Sequence, residues 1–477
     1  MTDDTTQLAV IGGGPGGYAA AFMAADLGLT VTLIDPAKNP GGVCLYHGCI
    51  PSKALLHVSR VIAEAGEAEA WGVSFGKPKV NIDRLRDRKN EVVSGLTEGL
   101  GRLVQQRRIT YLQGTAAFLD NRTLAVSGAG GGDDRRLVFE HAVIATGAVP
   151  VRLAQLDIGD DRILDSTRAL EMAKVPKKLL VVGGGYIGLE LGTVFAALGS
   201  KVTVAEMTAQ LLPGVDRDLV TLLEKRLSHR LEAIFKNTTV LGLKAQKNGL
   251  RAVLRTEQNG EQVRLYDQVL VAVGRRPETA GLGLENTGIA CDERGFIRVD
   301  RQRRTAEAHI FAIGDVAGEP MLAHKAAHEG RVAAEVIAGR EALYEPLAVP
   351  AVVFTDPEIA WAGTTEAQAR EQGLEVALAR FPWAASGRAA TLGRSDGLTK
   401  LVVDPGSERV LGVGIAGPGA GELIAEAVLA IEMNASVADL GLSIHPHPTL
   451  SETLKESADV YHGTATHFRR AQGLRRS

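Results

Sequence analysis

The feature that most constrains how this chain can fold is a repeat inside it. Gly12, Gly14 and Gly17 follow the apolar run Leu8–Ile11 and precede a helix-forming stretch, Tyr18–Leu27. The same punctuation returns at Gly183, Gly185 and Gly188 after Leu179–Val182, an offset of 171 residues. That offset also carries Gly28 onto Gly199, Val31-Thr32 onto Val202-Thr203, and Asp35 onto Glu206. Each copy reads as strand, turn, helix and second strand, closing on a carboxylate 23 residues after its first glycine. A dinucleotide-binding unit needs these parts: the first glycine for the tight turn, the second so that backbone N–H groups reach a pyrophosphate, the third for close helix–strand packing. The helix start supplies partial positive charge, and the distant acid accepts hydrogen bonds from ribose hydroxyls. Packing glycines duplicated without a ligand would explain the turns but not the two carboxylates.

Two such units imply one bound redox cofactor and one exchanging cofactor, and spacing alone does not say which is which. Glu206 would repel a 2′-phosphate, so the second unit is expected to prefer NAD over NADP. At 477 residues the chain has room for three or four domains. Ser127–Asp134 reads as a hairpin connection, and strands His141–Ala145, Gln268–Val273 and His309–Ile313 each run into a glycine turn. Beyond Pro346, strands Lys400–Val403 and Leu411–Ala416 followed by an amphipathic helix, Gly421–Met433, suggest a separate α+β domain.

Formal charge is −3, from 53 basic and 56 acidic side chains, so no nucleic-acid footprint is expected. The Arg-rich end (Arg469, Arg470, Arg475, Arg476) reads as a solvated tail. Leu8–Ala25 holds eighteen residues without a charge, but five glycines and a proline interrupt it, and Asp3 and Asp4 precede it where a signal peptide would be basic. No membrane span and a cytoplasmic location are therefore expected. Three cysteines cannot form a disulfide scaffold.

Cys44 and Cys49 lie in Gly41–Lys53, with Pro51 suited to the first turn of a helix through Ala54–Ala65. On a regular helix their separation would rise about 7.5 Å, more than disulfide geometry allows, so bonding them needs a distorted entry, which Gly48 makes plausible. Taken alone, such cysteines are usually small buried hydrophobes. Their place at a helix start directly after the first nucleotide unit favours thiol chemistry instead. The CxxxxC spacing does not suit zinc, no metal site is expected, and Cys291 is assigned no role.

Gly41–Lys53 resembles the GGTCLNVGCIPSK motif of the flavin-dependent pyridine nucleotide disulfide oxidoreductases. His445–Glu452 (HPHPTLSE) resembles the HAHPTLSE signature of the dihydrolipoamide dehydrogenases within them, and Ile313–Asp315, Met321–Ala326 and Thr355–Trp361 extend the likeness over essentially the full chain. The resemblance implies an α/β fold with two Rossmann-like dinucleotide-binding domains plus a C-terminal α+β dimerisation domain. It divides the chain into 1–150 (FAD-binding), 151–276 (NAD-binding), 277–345 (completing the FAD site) and 346–477 (interface). It implies a redox disulfide in which Cys44 is the interchange sulfur and Cys49 the charge-transfer sulfur, with His447 as base oriented by Glu452 and supplied by the partner of a homodimer. FAD would be held by Gly12, Gly14, Gly17, Asp35, Lys53, Ala116, Gly147, Asp315 and Ala323, and NAD by Gly183, Gly185, Gly188, Glu190, Glu206 and Gly274. Lys53 and Glu190 match a family ion pair near the flavin. The implied activity is oxidation of protein-bound dihydrolipoyl groups with reduction of NAD+. The implied partners are lipoyl domains and the core E2-type subunit of a 2-oxoacid dehydrogenase complex, or the lipoyl carrier protein of glycine cleavage. No lipoyl-bearing domain is expected ahead of Met1.

The alternatives are another FAD-dependent NAD(P)H disulfide reductase or a mainly structural subunit. Glu206 disfavours a glutathione reductase, and the lack of cysteines after Cys291 excludes mercuric and large thioredoxin reductases. The chain departs from the motif at Val43, Tyr46 and His47. An imidazole between the two sulfurs suggests that His47 tunes thiolate stability. His324 and His328, four apart, are read as packing and capping residues.

Overall fold

The computed structural model describes residues 4–129, 134–257 and 260–469. The repeat seen in the sequence is a repeat of register. In the first unit Leu8 pairs with Val31 and Ile11 with Ile34; in the second, Leu179 pairs with Val202 and Val182 with Ala205, all in parallel strands and all displaced by the same offset. The apolar run Leu8–Ala25 is thus a buried strand, Asp4–Ile11, and a helix, α1 (Pro15–Asp26). Helix α1 starts three residues before the expected Tyr18, because Pro15 takes a first-turn position where its missing N–H costs nothing.

Around the first unit a parallel sheet runs 110–113, 31–35, 4–11, 135–144 and 310–312, so a strand from far along the chain completes it. Strands Thr123–Gly128 and Arg135–Ile144 pair antiparallel, as a hairpin at Ser127–Asp134 requires, although 130–133 lie outside the described residues. Of the Arg-rich end, Arg469 alone is described. The second unit has five parallel strands in the order 233–235, 201–205, 178–182, 268–271 and 163–164, beside a three-stranded antiparallel meander over 238–266. Two short antiparallel strands, Ala148–Pro150 and Arg275–Pro277, join the first unit to the second.

The helices that build the site follow in order. Helices α2 (Gly42–His47) and α3 (Cys49–Glu67) are separated by Gly48 alone; α4 (Ile82–Gln106) and the short α5 (Ser166–Leu170) pack near them. Helix α6 (Tyr186–Ala197) opens the second unit, α7 (Arg217–Ser228) follows, and α8 (Ala323–Ile337) lies against α1. Small residues allow that last contact: a Cβ on Gly330 would stand 2.5 Å from the Gly16 carbonyl oxygen. From Ala351 onward a five-stranded antiparallel sheet, ordered 351–353, 358–363, 410–417, 398–403 and 377–382, is centred on the buried Trp383. Gly397 and Gly417 make room for that indole, whose N–H donates to Thr399 Oγ1 at 2.9 Å. This is the α+β unit expected beyond Pro346.

Among the described residues, no helix is long and apolar enough to cross a membrane.

Candidate active site

Both glycine turns are built alike. Gly12 and Gly183 have φ of +104° and +106°, and a Cβ on either would lie 2.4 or 2.3 Å from a carbonyl oxygen of the neighbouring strand, Ala145 or Ala272. Gly17 and Gly188 sit over the turn itself, where a Cβ would come within 1.8 Å of Gly12 O and 2.3 Å of Gly183 O. The second glycine of each motif is different: around Gly14 the nearest atom is 3.9 Å away, and around Gly185 nothing lies within 4 Å. Neither has a packing reason to lack a side chain. Both stand at the start of a helix with no side-chain cap, α1 and α6, which is the arrangement that receives a phosphate on backbone N–H groups.

The terminal acids do more than was expected of them. Asp35 Oδ2 accepts the Gly13 N–H at 2.6 Å, and Glu206 Oε2 accepts the Gly184 N–H at 2.6 Å. Their second oxygens accept N–H groups two residues on, from Ala37 at 2.9 Å and Thr208 at 2.8 Å. Each carboxylate is therefore a clamp on its own turn. Burial raises the Asp35 carboxyl, opposed by these two backbone bonds. Gly13 and Gly184 went unassigned in the sequence reading, although an unbroken Gly-Gly-Gly in both copies was the available signal.

A cleft of about 670 Å³ runs from the first turn to the cysteines. Of the residues expected around FAD, Gly12, Gly14, Asp35, Lys53, Ala116, Gly147, Asp315 and Ala323 line it, whereas Gly17 packs behind it. Helix α8 also begins at this cleft without a side-chain cap. A long, largely apolar cleft with uncapped helix starts at Gly14 and Ala323 and an acid at Asp35 fits FAD. Of the residues expected around NAD, Glu190 alone reaches this cleft; Gly183, Gly185, Gly188, Glu206 and Gly274 lie around the second turn. That turn, with open space at Gly185 and the clamped Glu206, fits a second dinucleotide. Tyr186 and Arg275, not singled out in the sequence, line the cleft between the two units. The Tyr186 hydroxyl is pushed up to about 12, chiefly by burial. Burial likewise raises the Asp315 carboxyl, against the pull of Arg275 and Lys325.

The cysteines meet where the helix breaks. Gly48 has φ −147° and ψ −111°, and a Cβ there would press to 2.9 Å from the Val43 carbonyl oxygen, so α2 stops and α3 starts afresh at Cys49. Helix α3 thus begins at Cys49, with Pro51 in its first turn as expected. This is the distorted entry that bonding would need; both cysteines are free thiols. Gly42 places the pair against the first turn, since a Cβ on it would come 2.5 Å from Gly14 Cα. The two thiols are not equivalent. Cys49 is held down at about 7, first by a hydrogen bond from Cys44 and, against burial, by the Lys53 ammonium. Cys44 is pushed up by that same hydrogen bond and then by burial. Lys53 donates to Glu190 Oε2 at 2.8 Å, across 137 residues. Burial lowers His47, against the pull of Glu171. The cation acting on the thiols is Lys53, and His47 lines the same cleft.

His447 and Glu452 form their pair as expected: His447 Nδ1 lies 2.9 Å from Glu452 Oε1, and the Thr449 N–H fixes the other oxygen at 2.8 Å. The imidazole is 69% exposed and belongs to a loop outside the cleft, so one chain does not bring it to its own cysteines. His324 contacts the Pro350 carbonyl at 2.7 Å and His328 lies edge-on to Tyr344.

Comparison with known proteins gives the same picture. Residues 6–330 match the pyridine nucleotide-disulphide oxidoreductase family, and residues 349–458 match its dimerisation domain. The dihydrolipoyl dehydrogenase of Vibrio cholerae is 45% identical over 470 residues, 98% of each chain. That of Haemophilus influenzae is 46% identical over 461 residues, 97% of this chain and 96% of its own. Among solved structures, LpdA from Mycobacterium tuberculosis superposes with a TM-score of 0.87 at 26% identity, covering 95% of this chain and 99% of its own. RclA from Escherichia coli, an HOCl-induced flavoprotein disulfide reductase, gives 0.84 at 30% identity, covering 95% and 99%. Clamped turns, a split cysteine helix and full-length kinship lead to one conclusion: the chain belongs to the pyridine nucleotide-disulphide oxidoreductase family, as an FAD- and NAD-dependent oxidoreductase acting on a sulfur group.

Proposed function

We propose that this chain works as a dihydrolipoyl dehydrogenase, oxidising protein-bound dihydrolipoyl groups to the cyclic disulfide and reducing NAD+ to NADH. The observation that carries the reading is a separation: the thiols lie in the cleft, and an acid–base pair suited to them lies outside it, on an exposed loop of the dimerisation domain. A second copy of the chain supplies the missing half, so each site of a homodimer combines Cys44 and Cys49 of one subunit with the His447–Glu452 pair of the other. Exposed Leu429, Met433, Leu442 and Ile444 on this domain support a covered face.

The chemistry follows from the two thiols' different character. Glu452 holds His447 Nδ1, so Nε2 takes a proton from one dihydrolipoyl thiol. The thiolate attacks Cys44 Sγ of the oxidised pair, forming a mixed disulfide and releasing Cys49 as a thiolate beside Lys53. The second substrate thiol attacks the substrate's own bonded sulfur, closing the lipoyl ring and returning Cys44 as a thiol. FAD at the first turn would supply the two-electron chemistry that links the dithiol to NAD+. Asp35 and Gly14 would hold FAD at the first turn, and Glu206 and Gly185 would hold NAD at the second. We assign 1–150 to FAD binding, 151–276 to NAD binding, 277–345 to completing the FAD site and 346–477 to the interface. The reading places the enzyme in the cytoplasm, serving lipoyl domains of a 2-oxoacid dehydrogenase complex or of glycine cleavage.

A subunit-mixing experiment tests both the chemistry and the sharing. Cys44→Ser and His447→Gln homodimers should each lack dihydrolipoamide–NAD+ turnover while keeping NADH-to-dye transfer. Randomly reassociated mixtures should regain about a quarter of wild-type turnover, because half the dimers are hybrids with one intact site. Turnover in either homodimer refutes the roles, and no recovery in the mixture refutes the shared site.

A further inference from the structure

The Lys53–Glu190 pair has a third member that comes from the C-terminal domain. Glu190 is almost wholly buried on α6; one oxygen accepts from Lys53 Nζ at 2.8 Å and the other accepts the Phe354 backbone N–H at 3.0 Å. The Phe354 ring also lies against the ammonium, with Nζ 4.4 Å from its centroid. Lys53 lines two cavities at once, the cysteine cleft and a second one of about 430 Å³ between α3, α6 and the C-terminal domain, and Phe354 lines the second. The ammonium therefore stands on a partition, with Glu190 and the ring holding it there. Without the ring, a side chain with four rotatable bonds has an adjoining cavity to enter, away from the sulfurs.

We infer that Phe354 is a positioning residue for the redox centre: its aromatic face and backbone N–H hold the Lys53–Glu190 pair against the cysteines, so that the C-terminal domain sets the charge the thiols feel. The inference rests on the thiol-redox reading of the cleft. It links domain docking to sulfur chemistry by direct contact, and no spacing in the sequence points to it. The other titratable groups around the sulfurs are Tyr18 of α1, Tyr186 and Glu190 of α6, and His47 of α2, which lines the same cleft. Phe354 meets this set through its bond to Glu190 and its contact with Lys53, so a change at Phe354 is expected to reach the thiols through the pair.

The test reads Cys49 directly. In full-length protein carrying Cys44→Ser and Cys291→Ser, the ultraviolet absorbance of the remaining thiolate is titrated against pH. Phe354→Leu and Phe354→Met, which lack an aromatic face, should each move the midpoint upward and lower the thiolate fraction at neutral pH by about twofold or more. Phe354→Tyr should leave it in place. Lys53→Met should move it in the same direction and abolish any further effect of Phe354→Leu. An unmoved midpoint in Phe354→Leu or Phe354→Met, a shift in Phe354→Tyr, or a full added shift on top of Lys53→Met overturns the inference. The titration needs no lipoyl substrate, so a wild-type protein without dihydrolipoamide turnover would refute the proposed function and leave this result standing.

Discussion

Gly185→Ala should weaken this protein's hold on the pyridine nucleotide and leave the rest of it intact. Gly185 has φ −76° and ψ 176°, which alanine adopts freely, and an added Cβ meets nothing within 4 Å. The folded chain should then be unharmed, or more stable by about 0.4–1 kcal/mol, because alanine has less backbone freedom to lose on folding. The same methyl would stand where a pyrophosphate must approach the first amides of α6. Losing one charge-assisted hydrogen bond costs about 1.5–3 kcal/mol, so NADH binding should weaken by about 10- to 100-fold. Gly188→Ala is the opposite case. Its Cβ would lie 2.3 Å from Gly183 O and 3.0 Å from a Val181 methyl, and a backbone oxygen in a clamped turn cannot swing aside. Helix α6 has to back away from its strand, at a cost of about 1–3 kcal/mol of overpacking. NADH titration and thermal melting, with the flavin spectrum as an internal control, separate the two. Gly185→Ala binding NADH like the parent, or Gly188→Ala melting like the parent, would refute the division between approach glycines and packing glycines.

Two further outcomes follow from the geometry. Lys400 is fully buried between Asp216 at 2.7 Å, Asp218 at 2.7 Å and Glu366 at 3.4 Å, tying α7 to the C-terminal sheet, so Lys400→Met should lower the denaturant midpoint by the equivalent of about 3–5 kcal/mol. Burial would raise the Asp218 carboxyl, but bonds from Lys400 and Arg380 outweigh it and hold it below the ordinary range. This group's contribution is therefore present above the ordinary carboxylate pKa and is lost as pH falls through the lower, folded-state value; an acid midpoint unchanged in Lys400→Met would contradict that. His47→Val should leave the thiolate titration of Cys49 where it is, since Lys53 is the cation acting on that thiol and burial disfavours a charge on the imidazole. A shifted titration would restore the role that its position in the motif suggested.

Much of this molecule was legible before its fold was known, because the units that repeat are local. A glycine turn between a strand and a helix is decided by sterics within about twenty residues, so the offset of 171 in the sequence reappears unchanged in the pairing of Leu8 with Val31 and of Leu179 with Val202. Cys44 and Cys49 were likewise recognisable from their motif, and Gly48 already marked the break between their helices. The contacts that set the charge beside the sulfurs were not legible, since they join residues that no spacing relates. Lys53 finds Glu190 and Phe354 across 137 and about 300 residues. Strand, turn and helix follow from short-range backbone sterics and side-chain periodicity, which sequence carries directly. Which charge stands beside which sulfur follows from how separately folded layers pack, and that is decided only when their surfaces meet.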